Sequence, residues 1–267
     1  MLRFPLRLTA DLARARIARI ALRDSATPSV LLISPVEQAR SSSFESPNFS
    51  AEAKAGTELL SFVRDSAAPV VWIGGSDQLL HSEIAQLTRC IVGHGQNVFL
   101  ETDGVLLRRR IHEFRPVSRL FLTVSLNGVE KSHDLRATHL GAFGNAVEGI
   151  RAARLCGFFT CVHARIHEDT DLKEIAALLS FANTLDVDGF VISPAADVLN
   201  AANSRAESLQ QKTAEARKLI ANPWWQLFSH LAEPALTGEH NSAPWKDKTR
   251  PILEQESDEQ EEGMKVA

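Results

Sequence analysis

Six short apolar runs, at 29–35, 69–75, 97–102, 119–126, 158–166 and 188–194, alternate along the chain with helix-patterned stretches, and this alternation constrains the fold more than any other feature. Each run is β-rich and bounded by Pro, Gly, Asn or Asp, which is the pattern of a strand. Helical patterns occupy 51–66, 79–94, 105–114, 141–155, 171–185 and 203–221. A helix between successive strands supplies the crossover that parallel pairing needs, so six βα units in series predict a parallel sheet. Runs such as Val70-Val71-Trp72-Ile73 are apolar almost throughout, as strands covered on both faces must be. Composition leaves two arrangements open, a doubly wound sheet or a partial barrel. In both, the loops after the strand C-terminal ends carry the site.

The chain of 267 residues, 44% apolar and 23% charged, is sized for one main α/β domain. A net charge of -4 provides no broad basic field, so no nucleic-acid partner is expected. Arg14, Arg16, Arg19 and Arg23 form a local basic stretch, read as the solvated face of an amphipathic helix that carries Leu8, Leu12, Ile17, Ile20 and Leu22. No apolar run is long enough for a transmembrane segment or a signal-peptide core, so a cytoplasmic location is expected. Cys90, Cys156 and Cys161 match neither a disulfide framework nor a metal spacing, and the last two read as small buried apolar residues. The histidines show no tight zinc-ligand spacing, and no Gly-x-Ser-x-Gly motif marks a serine nucleophile. An acidic run within 251–267 reads as a disordered, solvating tail.

The loops after the strands separate the two arrangements. The second strand leads into Gly74-Gly75-Ser76-Asp77-Gln78-Leu79-Leu80-His81-Ser82-Glu83-Ile84, which resembles the Gly-Gly-Glu-Pro-Leu-Leu-His-Pro-Glu-Ile segment of radical S-adenosylmethionine (SAM) proteins with one extra residue. Glu101-Thr102-Asp103-Gly104-Val105-Leu106-Leu107 is similar to that family's Thr-Asn-Gly-x-Leu-Leu. Ser125-Leu126-Asn127-Gly128 followed by His133-Asp134-Leu135-Arg136 resembles its Ser-Leu-Asp-Gly and His-Asp-x-x-Arg pair, and 141–154 resembles the helix after it. The 186–194 segment, with Asn222-Pro223-Trp224 and Ala243-Pro244-Trp245, narrows the resemblance to the adenosyl-hopene transferase branch of hopanoid synthesis.

This resemblance covers roughly 29–250 and implies a radical-SAM-like partial (β/α)6 barrel of the TIM type, with SAM lying across the strand C-terminal ends. Together with the amphipathic N-terminal pattern and the acidic C-terminal run, the expected organisation is an N-terminal helical extension over 1–28, the barrel over 29–221, a C-terminal cap over 222–250 and the tail over 251–267. The extension is expected to cross the barrel bottom or bind another subunit.

The departures from the family are as informative. Laying the family's Cys-x3-Cys-x2-Cys loop on this chain puts its three positions at Ala39, Ser43 and Ser46. Serine is a far poorer iron ligand than thiolate, and alanine is none, so a [4Fe-4S] cluster is not expected. Ser76 replaces the glutamate that pairs with the SAM ammonium in the family, and Ser242 stands where relatives tend to have a further cysteine. The SAM-like pocket is assigned by resemblance to Gly74, Gly75, Ser76, Asp103, Ser125, His163 and Ile192, with His133, Arg136 and Arg165 as further mouth residues. His163 and Arg165 alternate with Cys161, so all three share one strand face, which is either the lumen or the helix side.

The expectation is a noncatalytic protein without cofactor that binds a small ligand or a partner, such as a cluster-bearing homologue or another protein of a hopanoid or terpenoid pathway. The alternative is a SAM-binding or radical SAM enzyme that transfers adenosyl to a terpenoid through non-standard or partner-supplied cluster ligands.

Overall fold

A computed structural model describes residues 2–22, 27–35, 59–75, 77–137, 140–195 and 203–237. Ala39, Ser43, Ser46, Ser76, Ser242 and the acidic tail lie outside the described residues. The strands are β1 (Val30–Ile33), β2 (Val70–Ile73), β3 (Asn97–Thr102), β4 (Leu120–Ser125), β5 (Phe159–Ile166) and β6 (Gly189–Pro194). All are parallel and pair in the order β1-β2-β3-β4-β5-β6. A doubly wound sheet reverses its order partway; this one never does. Because parallel crossovers are right-handed, an unreversed order gathers the helices on one face and curls the sheet into a partial (β/α)6 barrel.

Helix α1 (Leu6–Leu22) precedes the sheet. After a helix through 59–65 come α2 (Ile84–Gly93), α3 (Leu107–Arg110), α4 (Glu130–Ala137), α5 (Ala142–Leu155), α6 (Leu172–Thr184), α7 (Asn203–Lys218) and α8 (Pro223–Leu236). Asp171 and Asn222 cap α6 and α8 by accepting from the N–H groups of Lys173 and Trp224, and Pro223 fits the first turn of α8, where no N–H partner is needed.

Side chains alternate across each strand, which gives the two sheet faces different chemistry. Val98, Leu100, Leu122, Val124, Val162 and Ala164 form the aliphatic face under the helices. The lumen face carries an aromatic row in which Trp72 stacks on Phe99 at 5.3 Å and Phe99 on Phe121 at 4.5 Å. Phe228 of α8 stacks on Phe99 from the lumen side, 4.7 Å away.

Helix α8 packs against both β6 and β1 and so fills the seam that six strands leave open. The free edge of β6 is covered there: the Ile192 N–H donates to Ser229 Oγ, and Arg217 Nε donates to the Ile192 carbonyl. Covering these groups removes a template for pairing with another chain. At the barrel bottom, Trp225 Nε1 donates to the carbonyls of Asp188 and Arg3, and the Asp11 carboxylate on α1 takes Arg119 at 2.8 Å and Asn97 at 3.0 Å. Helix α1 therefore crosses the bottom of the barrel. Only part of its apolar sequence faces inward: Leu8 is buried and Leu12 packs on the core, whereas Ile17, Ile20 and Leu22 are exposed. Cys161 is buried, but Cys156 is exposed, because it caps the last turn of α5 at the bottom rim.

The seam depends on Gly189, where an added Cβ would lie 2.7 Å from Cys161 Sγ and closer still to the Trp225 ring. Gly189→Ala is expected to destabilise the protein by about 1–3 kcal/mol through overpacking, read as a lower urea-denaturation midpoint.

Candidate functional site

Glu101 occupies the inward-facing position of β3 two residues beyond Phe99, at the upper edge of the aromatic row, and is 3% exposed. A carboxylate buried this deeply requires partners. Trp72 Nε1 donates to one oxygen at 2.9 Å; Ser125 Oγ, at 2.6 Å, and His163 Nδ1, at 2.9 Å, serve the other. The Arg165 guanidinium forms an ion pair with the same oxygen. Four donors from β2, β4 and β5 thus converge on one side chain. The register places Ser125 opposite His163 and Arg165 opposite Ser193, so neighbouring strands deliver the group together.

Burial alone would raise the Glu101 carboxyl, but Arg165 first and then His163 hold it well below the ordinary carboxylate range. His163 is lowered too, for a different reason: burial lowers its pKa, against the opposing pull of Glu101. The imidazole is therefore neutral at pH 7. Its Nδ1–H donates to Glu101, which leaves Nε2 to accept from Ser193 Oγ at 2.8 Å. The centre contains one carboxylate, one guanidinium and one neutral imidazole, and carries no net charge. Its polar atoms are turned mainly toward each other.

Gly74 is required by this arrangement. A Cβ there would meet Glu101 Oε2 at 2.6 Å and the Trp72 ring at 2.9 Å. The Gly74 carbonyl accepts from Gln78 Nε2 at 2.9 Å and from Ser34 Oγ, and Gly75 continues the turn at φ 108°. Arg110 fixes the same loop by donating to the carbonyls of Leu79, His81 and Ser82 while pairing with Glu113. Asp77 accepts from Thr102 Oγ1 at 2.7 Å, which ties the loops after β2 and β3 together; its pKa is raised by burial and by the nearby Asp103.

The structure thus brings Gly74, Ser125, His163 and Arg165 together around Glu101. The sequence reading left open which face His163 and Arg165 occupy, and it is the lumen. Asp103 is exposed and accepts from the Val105 N–H in a turn. Ile192 alternates to the helix side, with its backbone held by Ser229 and Arg217. His133 on α4 accepts the Asn127 N–H at 3.2 Å and meets Phe143 edge-on, and burial lowers its pKa; Arg136 pairs with Asp169. Neither joins the Glu101 centre. Sequence reasoning passed over Glu101, Trp72 and Ser193. A signal for Glu101 was present, since a carboxylate inside a strand buried on both faces demands a buried partner.

The cysteines do not fit a cluster. Cys161 lies low in the lumen against Gly189 with its thiol pKa pushed up by burial, Cys90 is on α2, and Cys156 is at the bottom rim. Among the described residues, no three His, Cys, Asp or Glu side chains are grouped to hold a metal ion.

No protein-family model and no curated protein matches the chain. Among solved structures it is similar to Streptococcus suis SuiB bound to the precursor peptide SuiA, with a TM-score of 0.48, 14% identity, and coverage of 61% of this chain and 37% of that one. SuiB bound to S-adenosylmethionine gives a TM-score of 0.47 and 15% identity over 77% of this chain and 49% of the other. Archaeal TYW1 gives 0.45 and 14% over 66% and 67%. The chain spans less than half the length of the SuiB structures.

Glu101→Gln removes the charge that Arg165 and the His163 N–H face, and is expected to cost about 3–5 kcal/mol in urea denaturation at pH 7. Both depressed pKa values make acid destabilising, because the unfolded chain takes up protons that the folded chain refuses. Stability should fall as pH drops below the ordinary histidine value of 6.5, and further below the ordinary glutamate value of 4.5. Urea midpoints measured from pH 8 to pH 4 test this: His163→Gln should remove the upper part of the decline and leave the lower.

Proposed function

We propose that this chain is a radical-SAM-like barrel that performs no radical chemistry and binds a small polar ligand or a protein partner at its strand C-terminal ends. The observation that carries this reading is the mutual satisfaction of the lumen groups: Glu101 is ionised and fully engaged, His163 is neutral, and Arg165 is paired. Such a centre holds a shape and offers hydrogen bonds at its rim. It leaves no spare base or nucleophile for chemistry. The donor set agrees with this, because the positions matching the family's thiolates are Ala39, Ser43 and Ser46, and Cys161 is a protonated thiol low in the lumen. In the hopanoid or terpenoid setting that the sequence resembles, its partner would be a cluster-bearing homologue. The cellular compartment we assign is the cytoplasm.

A second reading, binding of SAM or a related nucleoside without its reductive cleavage, is favoured by the Gly74–Gly75 turn and by Ser125 at the rim. Ser125 keeps acceptor capacity after donating to Glu101. SAM that bound here would supply a sulfonium and an adenosyl group, and Gly74, Gly75 and Ser125 would hold it.

Anaerobic reconstitution with iron and sulfide, followed by incubation with SAM and dithionite, tests the proposal. The expected result is iron at the level of a cysteine-free control protein and no 5′-deoxyadenosine. About four irons per chain, the content of one [4Fe-4S] cluster, together with 5′-deoxyadenosine formation, would overturn it.

A further inference from the structure

The barrel end opposite the Glu101 centre carries an apolar surface bordered by arginine. Helix α1 turns Leu8, Asp11 and Leu12 toward the barrel. At about 100° per residue, the positions diametrically opposite are Leu6, Ala10, Ala13 and Ile17, with Ile20 beside them. Leu6 is 87% exposed, Ile17 67% and Ile20 71%. Arg16 lies on one flank of this stripe, and Arg7 and Arg14 lie on the other. The helix therefore has two apolar faces, and the barrel uses one.

The stripe does not stand alone. Val117 precedes β4, Leu155 ends α5 just before β5, and Trp224 starts α8 beside the barrel bottom, where it stacks on Phe4 at 6.0 Å. Leu155 is 89% exposed and Trp224 49%. Several acids at this end are already paired with arginine: Asp11 with Arg119 and with Arg14 of the flanking row, Asp65 with Arg64, and Asp186 and Asp188 with Arg154. The end is locally basic although the chain as a whole is acidic.

We propose that this end docks on an anionic lipid bilayer, with α1 lying in the interfacial plane. An exposed apolar stripe between two rows of arginine suits the boundary between acyl chains and anionic headgroups, where arginines extend to the phosphates and tryptophan is favoured. A second copy of the chain fits less well, because a two-fold interface would bring the arginine rows together. The acidic segment 251–267 matches the charge but has few apolar residues to cover the stripe.

Co-sedimentation of the full chain with phosphatidylcholine vesicles, with and without phosphatidylglycerol, provides the test. Binding should be stronger by about tenfold on the anionic vesicles and weaken as salt is raised. The double change Ile17→Glu and Ile20→Glu should lower binding by about tenfold or more with an unchanged urea midpoint, because neither side chain supports the core. Arg7→Glu with Arg16→Glu should abolish the preference for anionic lipid. Absence of binding to both vesicle types would overturn the proposal. So would concentration-dependent self-association abolished by the isoleucine pair without vesicle binding, or vesicle binding that appears only after deletion of 251–267.

Discussion

An ionised carboxylate cannot lie inside a barrel unless the surrounding strands bring it donors, and Glu101 imposes that condition on half of the sheet. Removing such a group from water costs several kcal/mol, and it is offset only when the partners arrive in good geometry. Trp72, Ser125, His163 and Arg165 are those partners, and they belong to three other strands. The register is tied to the charge. A one-residue slip of β3 would turn Glu101 out among the aliphatic side chains under the helices and bring Leu100 into the polar layer.

The layers below and above follow from this. Beneath Glu101, stacked rings from β2, β3 and β4 meet Phe228 and fill the lumen, so the seam helix α8 is held by aromatic packing as well as by its cover of the β6 edge. Above, the loops after β2 and β3 are fixed by Gln78, Asp77 and Arg110. The result is a hydrogen-bonded polar rim over an aromatic core. The two ends of the barrel differ accordingly: a neutral, self-satisfied centre faces one way, and a basic, apolar surface faces the other.

The fold was legible because βα alternation and two-sided burial leave few topologies, and the strand-end motifs selected the barrel over the doubly wound sheet. The shared face of Cys161, His163 and Arg165 was also legible, since strand alternation is a local property. Which way that face pointed was not, because it depends on sheet curvature. Glu101 opens a turn motif, yet its role is set by residues 24 to 64 positions away in the chain, as its bonds to Ser125 and Arg165 show. Ile192 illustrates the converse: it lies on the expected strand, but its parity turns it to the helix side. The apolar stripe of α1 was hidden for a different reason, since a helix with two apolar faces looks like one broad face until the barrel takes its share.

The account rests on a neutral His163 locked to an ionised Glu101. A long-range 15N–1H correlation spectrum of imidazole-labelled protein, assigned by comparison with His163→Gln, measures this directly between pH 8 and pH 5. The account predicts an Nδ1-protonated ring whose Nε2 is unprotonated at pH 7 and gains a proton only below the ordinary histidine value of 6.5. An Nε2-protonated tautomer, or a ring that titrates at the ordinary histidine value, would contradict it.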